Sequence, residues 1–367
     1  MQFSRISRTT RNRALLSAGA VILLGLTACS GGTGPGSPAA SDGPFPTEGS
    51  GVVNLFNFTN AISPEALEKF TEETSIRVNV DVFSTPEEMV AKVRAGGAAY
   101  DIVNAQDYVV PDLVSGGFLM ELDPLEWPNG DNIGEDYRDL YFDEGRKYTT
   151  PYQVLYEGIG VNPNTVTGPV TSWAEFFAAP EGAAGLMSVH DGQTLVINAA
   201  LMAVGSEACT SDPKAYEQVD TLLAELKPKL KLVSSDGTID RLAGGETVLS
   251  TMYDGAFSRA KAQDPDLEFV FPEEGFMTGF TNWGILSTAQ NVDNAKIFLN
   301  WLLLPENAAL NIDFGKYNTP VAGVDEYLEA AGVVAPDAET LERARPTVPC
   351  EPDIQEQYDK VWTRFKG

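Results

Sequence analysis

Histidine, cysteine and positive charge are all scarce in this chain, and each scarcity removes a class of function. A single histidine, His190, stands among 367 residues, so a metal centre built on several imidazoles is excluded. Lys and Arg number 25 against 52 Asp and Glu, a formal net charge of −27. Four of the 25, Arg5, Arg8, Arg11 and Arg13, fall in residues 1–28 with no acid beside them; the rest of the chain sets 21 basic groups against 52 acidic ones, a balance of −31. Proteins that track nucleic-acid phosphates rest on clustered Lys and Arg, so no nucleic-acid partner is expected. A G-x-S-x-G elbow, a Walker loop, an H-E-x-x-H pair and the Rossmann glycine fingerprint are also missing. No metal, no cofactor and no enzymatic activity are expected, although 52 acids leave a lipid-anchored hydrolase or lyase using a carboxylate pair as the alternative from another class.

What is present starts at the amino end. The basic stretch closes at Arg13 and an apolar run follows from Ala14 to Leu26. As a helix that run spans about 20 Å, too short for a comfortable bilayer crossing and of the form of a secretory signal. It ends in Leu26-Thr27-Ala28-Cys29, which looks like a bacterial lipobox: cleavage before Cys29, which then carries lipid. Residues 1–28 read as signal peptide and 29–51 as the lipidated Cys with a flexible Gly/Ser/Pro/Ala/Thr tether. The expected location is outside the cytoplasm, lipid-anchored to the outer face of the cell membrane or periplasmic. With Cys29 lipidated, Cys209 and Cys350 remain, an even pair in an oxidising compartment, and a disulfide between them is expected.

With 43 % hydrophobic and 10 % aromatic residues, the body has the means to bury a large core, and at this length it splits into two lobes. Val52–Phe58 reads as a strand; Ser63-Pro64 opens a helix; Ile76, Val78, Val80 and Val82 alternate with polar residues as only a strand requires. Thr85-Pro86-Glu87-Glu88 is a capping box, and Tyr100–Val103 is a third strand. This β-α-β-α-β spacing implies right-handed crossovers and a mainly parallel sheet. Further on, Ser172-Trp173-Ala174-Glu175 caps a helix, Asp212-Pro213 opens a long one, Thr247–Tyr253 is a strand, and Asn291–Leu304 is an amphipathic helix stopped by Pro305.

Apolar and aromatic segments end in a recurrent way: Asn57-Phe58-Thr59-Asn60, Gln106-Asp107-Tyr108, Tyr156-Glu157, His190-Asp191, Tyr253-Asp254-Gly255 and Asn282-Trp283. In open α/β sheets the crevice at strand carboxyl ends is where ligands bind. Rings beside carboxylates suit an organic cation, the faces attracting ammonium and covering methylenes, the acids pairing its charge.

The chain resembles the substrate-binding lipoproteins of ABC importers, most of all the spermidine/putrescine-binding group. The resemblance rests on Leu55-Phe56-Asn57-Phe58-Thr59, Leu67–Val78, Tyr100-Asp101-Ile102-Val103, Pro151-Tyr152, Ile159-Gly160-Val161-Asn162, Thr171-Ser172-Trp173, Tyr253-Asp254-Gly255-Ala256 and Tyr317-Asn318-Thr319-Pro320, in the family's order. It implies a two-lobed α/β fold of the periplasmic-binding-protein type II, with a ligand cleft between lobes joined by hinge strands. Lobe 1 is expected over 52–154 plus about 279–325, and lobe 2 over 155–278 plus about 326–367. The implied partners are a small-molecule amine and a membrane-embedded ABC permease, with the protein itself a monomer. Phe58 and Thr59 match an aromatic wall and its neighbouring hydroxyl, Tyr108 a cleft tyrosine, Asp191 a carboxylate that pairs an amine, and Tyr253 a second aromatic wall; Asn282, with Trp283 beside it, falls where an acid is expected. Thr194 and Ala61 depart from the pattern, and Glu157 and Asp254 are the candidate replacement carboxylates. An opine, an amino acid or an aminophosphonate is the alternative ligand within the same class.

Overall fold

The computed structural model describes residues 44–96, 100–328 and 332–367; the signal peptide, Cys29 and most of the tether lie outside the described residues. The tether's last residues do not hang free. Phe45 lays its ring 5.5 Å from that of Trp127, and the Asn294 side chain donates to the Ser50 carbonyl, because an aromatic ring beside an apolar surface is better buried than solvated.

The chain runs through β1 (Gly51–Phe58), α1 (Pro64–Thr74), β2 (Ile76–Phe83), α2 (Pro86–Arg94), β3 (Ile102–Gln106) and α3 (Val110–Ser115). An irregular stretch leads to β4 (Thr149–Val161), α4 (Trp173–Ala178), β5 (Met187–Val189), α5 (Gln193–Ala203), α6 (Pro213–Leu226), β6 (Leu230–Val233) and α7 (Thr238–Ala243). Then follow β7 (Leu249–Tyr253), α8 (Asp254–Gln263), β8 (Glu268–Val270), β9 (Phe276–Ile285), α9 (Val292–Leu302), α10 (Pro305–Gly315), α11 (Ala338–Leu341), β10 (Ala344–Pro346) and α12 (Pro352–Lys366). The caps behave as their sequences dictate: the hydroxyls of Ser63, Thr85 and Ser172 and the Asp212 carboxylate each accept from a backbone N–H in the first turn of the helix they precede.

The strands order as β2-β1-β3-β9-β4-β7-β5-β6, with β10 beside β9 and β8 beside β4. The flanks are parallel, as the crossover spacing implies. The centre is not: β9 runs antiparallel to both β3 and β4, and β4 antiparallel to β7 and β8. The expected mainly parallel sheet is therefore a mixed one. Its two longest strands supply the antiparallel middle, and β4 is buried at all 13 positions. A strand covered on both faces shows no alternation, so its pairing is not announced by periodicity. The third strand begins at Ile102 rather than Tyr100, and the Asp101 carboxylate just before it accepts from the backbone N–H groups of Asn54, Gln290 and Asn291.

Helices cover both faces at both ends of the sheet. On one side of the β2-β1-β3 end Val53, Leu55, Phe70, Trp283 and Phe298 pack together, and on the other Phe56, Phe83, Val103 and Leu113. At the β7-β5-β6 end the corresponding sets are Ile159, Val189, Leu201, Val219 and Tyr358, and Leu242, Met252, Phe257 and Leu267. Two lobes with separate cores result. β4 passes from one to the other: residues 149–156 pair with β9, and 157–161 pair with β7. Gly158 lies just past that transfer, where a Cβ would run into the Phe269 ring and the Val270 carbonyl of β8.

Cys209, after α5, and Cys350, before α12, are joined, with Cα atoms 5.2 Å apart across a sequence separation of 141. The Tyr358 hydroxyl of α12 adds a second tie at the same place, accepting from the Cys209 N–H and donating to the Asn198 amide oxygen. A cross-link of this span restricts the unfolded chain and is worth about 2–4 kcal/mol. The double variant Cys209→Ser/Cys350→Ser is expected to lose about that much in urea unfolding, an outcome that an unchanged midpoint would rule out.

Candidate ligand-binding site

The carboxyl ends of the strands bring a set of acids and rings together where the two lobes meet. Glu157 on β4 is directly opposite Tyr253, the last residue of β7. Directly opposed residues of an antiparallel pair project to the same side of the sheet. Glu157 is fully buried, and neither of its carboxylate oxygens has a hydrogen-bond partner among the described residues. Burial alone pushes its pKa well above the usual carboxylate range, with no cation to offset it. The Tyr253 hydroxyl is pushed up in turn, first by burial and then by the neighbouring charge of Glu157, with Tyr108, Tyr317 and Asp107 as further neighbours.

Asp107 comes from the other lobe, in the turn that follows β3. Its carboxylate is buried and accepts from the Tyr108 N–H at 2.9 Å and the Phe280 N–H of β9 at 3.2 Å. Burial outweighs those bonds and lifts its pKa to about 7. It faces Gly279, whose missing side chain leaves room beside the carboxylate oxygens. Tyr317, after α10, lies flat against Gly255; a Cβ at that glycine would overlap its ring. On the second-lobe side His190 closes the group, its ring 5.2 Å from that of Tyr253.

Of the residues expected from sequence, Tyr108, Glu157 and Tyr253 are neighbours here. The others have contacts of their own. Asp254 is buried in the first turn of α8, where it accepts from the Tyr156 N–H and the Asn318 amide, and its pKa is raised to about 7 by burial. Its charge is felt at the Tyr317 hydroxyl, whose pKa burial and Asp254 push up. Phe58 packs on Phe83 at 4.3 Å, and the Thr59 hydroxyl donates to the Phe83 carbonyl, so both secure the end of β1 to β2. Asp191 is exposed, and its carboxylate is held at 2.6 Å by Lys366 from the end of α12.

Asn282 and Trp283 are engaged within the first lobe. Asn282 is buried and accepts from the Arg146 guanidinium at 2.7 Å, on the opposite face of β9 from Gly279 and Thr281 by simple alternation. Trp283 shares the face of Thr281 but is sunk in the first-lobe core against Tyr152, ring centroids 4.8 Å apart. Sequence reading passed over Asp107, His190 and Tyr317 as site members. The first two sit in strand-end junctions that had drawn notice, and the third in the stretch Tyr317-Asn318-Thr319-Pro320, so the signal existed without a means of choosing the residue.

Chemically, the group offers buried carboxylates, phenol rings and a neutral imidazole, and no described Lys or Arg contributes to the shift of Glu157. Such an acceptor-rich, ring-lined cluster suits a cation.

Comparison with known proteins agrees with the fold. Residues 65–339 match the family described as bacterial extracellular solute-binding protein. The spermidine/putrescine-binding periplasmic protein of Escherichia coli is 30 % identical over 296 residues, covering 79 % of this chain and 84 % of that protein. A putrescine-binding periplasmic protein of Pseudomonas aeruginosa is 28 % identical over 86 % of this chain and 92 % of its own length. Among solved structures, the spermidine/putrescine ABC transporter substrate-binding protein of Streptococcus pneumoniae superposes with a TM-score of 0.76 at 27 % identity, covering 86 % of this chain and 98 % of that one. The mixed α/β architecture is that of the type II periplasmic binding proteins. With three quarters of its length inside the match, the chain belongs to the bacterial extracellular solute-binding protein family.

Proposed function

We propose that this protein is the extracytoplasmic binding component of an ABC importer and that it captures a polyamine or a related protonated amine between its lobes for delivery to the permease. Glu157 carries the reading: a buried carboxylate with no partner is a deficit that a ligand ammonium removes. Asp107 from the first lobe and Glu157 and Tyr253 from the second then hold the ligand jointly, which favours the closed arrangement over the open one. β4 and β9 act as the hinge strands, and the lobes divide near residues 154/155 and 278/279. The lipobox at Cys29 anchors the body to the membrane, in keeping with relatives that are named as periplasmic proteins.

Capture in this reading displaces a proton. The raised pKa of Glu157 favours its protonated form in the empty site, and pairing with an ammonium draws the group back to the carboxylate form. Affinity therefore rises with pH, with a proton released on binding.

The ligand class is tested by thermal denaturation of the chain from residue 30 onward with putrescine, spermidine, spermine, agmatine, amino acids, opines and aminoethylphosphonate. A ligand at 100 times its dissociation constant adds about 2.7 kcal/mol, a visible rise. Polyamines are expected to give it; silence from every amine would overturn the reading, and a response to opines alone would replace the ligand.

Glu157→Gln separates the site's two costs. An unfolded glutamate titrates near 4.3, whereas Glu157 in the fold holds its proton well above that. Below about pH 4 both states are protonated and the variant gains nothing; as pH rises the unfolded state ionises first and the native protein loses stability. The variant is thus expected to match the parent at pH 4, to be the more stable of the two at pH 8, and to bind polyamine about tenfold or more weakly, the worth of one hydrogen bond to a charged group. Equal stability at both pH values with unchanged affinity would remove Glu157 from the site.

A further inference from the structure

His190 is the chain's one histidine, and its surroundings give it more than a packing role. The residue is 7 % exposed. Its backbone N–H is spent on the Thr251 hydroxyl. Ring atom Nδ1 lies 3.4 Å from the Ser235 Oγ, and that same oxygen accepts from the Asp191 N–H at 3.0 Å. The other ring nitrogen, Nε2, is buried without a partner among the described residues. The ring rests beside Tyr253, which in turn faces the partnerless carboxylate of Glu157. Glu157 on β4, Tyr253 at the end of β7 and His190 just after β5, three adjoining strands, thus bring a carboxylate, a phenol ring and an imidazole together.

Two tautomers fit this geometry. With the proton on Nδ1, the Ser235 oxygen uses its second lone pair to accept it, and Nε2 is a bare acceptor. With the proton on Nε2, a buried N–H is left with nothing to bond. Burial holds the ring neutral, its pKa pushed down to about 4, so a doubly protonated imidazolium is not at issue near neutral pH. A ligand ammonium satisfies the first arrangement and is repelled by the second.

We propose that His190 is a specificity-determining residue: in the Nδ1–H form it joins Glu157 in an all-acceptor corner beside Tyr253 that selects ligand nitrogens bearing N–H groups over quaternary ones. The inference rests on the amine reading above and adds to it. The Glu157 carboxylate pairs charge with any cation; the Nε2 lone pair gains only from a nitrogen with a hydrogen to give. Primary ammonium ends therefore bind by charge and hydrogen bonds, whereas a permethylated ammonium leaves Nε2 buried and unsatisfied, which is the costly case.

A lone histidine makes the test clean. Untagged protein labelled with 15N-histidine yields one imidazole, whose nitrogen shifts report tautomer and hydrogen bonding directly. Putrescine and its bis-quaternary permethylated analogue are titrated by calorimetry and NMR in parallel. The expected result is an Nδ1–H tautomer in free protein, an Nε2 resonance that moves on adding putrescine, and affinity for the permethylated analogue lower by about ten- to a hundredfold, the size of a hydrogen bond to a charged group. His190→Leu is expected to lose affinity for putrescine and leave that for the analogue unchanged, while His190→Gln, which retains an acceptor, recovers part of the preference; should the leucine variant not fold, the resonance of the parent decides. Tight putrescine binding with an unmoved Nε2, or an Nε2–H tautomer in the complex, overturns this role and leaves the amine reading standing. No binding of any amine overturns both.

Discussion

A strand buried on both faces must satisfy every backbone group through its neighbours, and β4 does so by exchanging partners along its length. Its first eight residues bond to β9 and its last five to β7 and β8. The exchange falls between Tyr156 and Glu157, so the sequence position that carries an unpaired carboxylate is also the one where the backbone leaves one lobe for the other. The acid is thereby fixed on the sheet itself rather than on a loop. Asp107 is fixed comparably, since its carboxylate is stapled to the Phe280 N–H of β9, the other long strand of the centre. In the proposed reading, site and hinge are built from the same two strands, so a change in their relative angle is felt at the carboxylates.

The energetic cost of this arrangement is borne by the large cores on either side. An isolated buried carboxylate costs several kcal/mol if it stays ionised, and burial accordingly raises the pKa values of Glu157, Asp107 and Asp254 toward the protonated form. Asp107 and Asp254 are also supported by donated N–H bonds; Glu157 has no such support. A group kept in an unfavourable place by surrounding structure is where binding energy is most efficiently recovered. By contrast the acids that dominate the composition lie mainly on the surface, where a carboxylate such as Asp191 is half-exposed and already paired with Lys366, and such pairs are worth little.

Local features were legible in the residues: the alternation of β2, the four helix caps and the joined cysteines each depend on near neighbours or on simple arithmetic. Long-range pairings were not. Nothing within β4 or β9 says that they are antiparallel to each other, because the two lie more than 100 residues apart and β4 is buried on both faces. The same limit governs the site. That Asp191 meets a lysine from the end of a helix 175 residues later, and that the register of β9 against β3 carries Trp283 into the first-lobe core, depend on partners far along the chain. Glu157 was visible as an acid after an aromatic, but that it has no partner, and that His190 stands beside Tyr253, are properties of three strands assembled.

The bond between Cys209 and Cys350 encloses β6 to β10 and α6 to α11, and with them Tyr253 and Phe280. Its consequence reaches beyond stability. Outside the cell a protein meets peptidases, and a loop cut in most proteins frees a fragment to diffuse away. Here a single backbone scission anywhere between residues 210 and 349 leaves two pieces that are still one covalent molecule, able to stay assembled around the site. The cross-link is a form of damage tolerance.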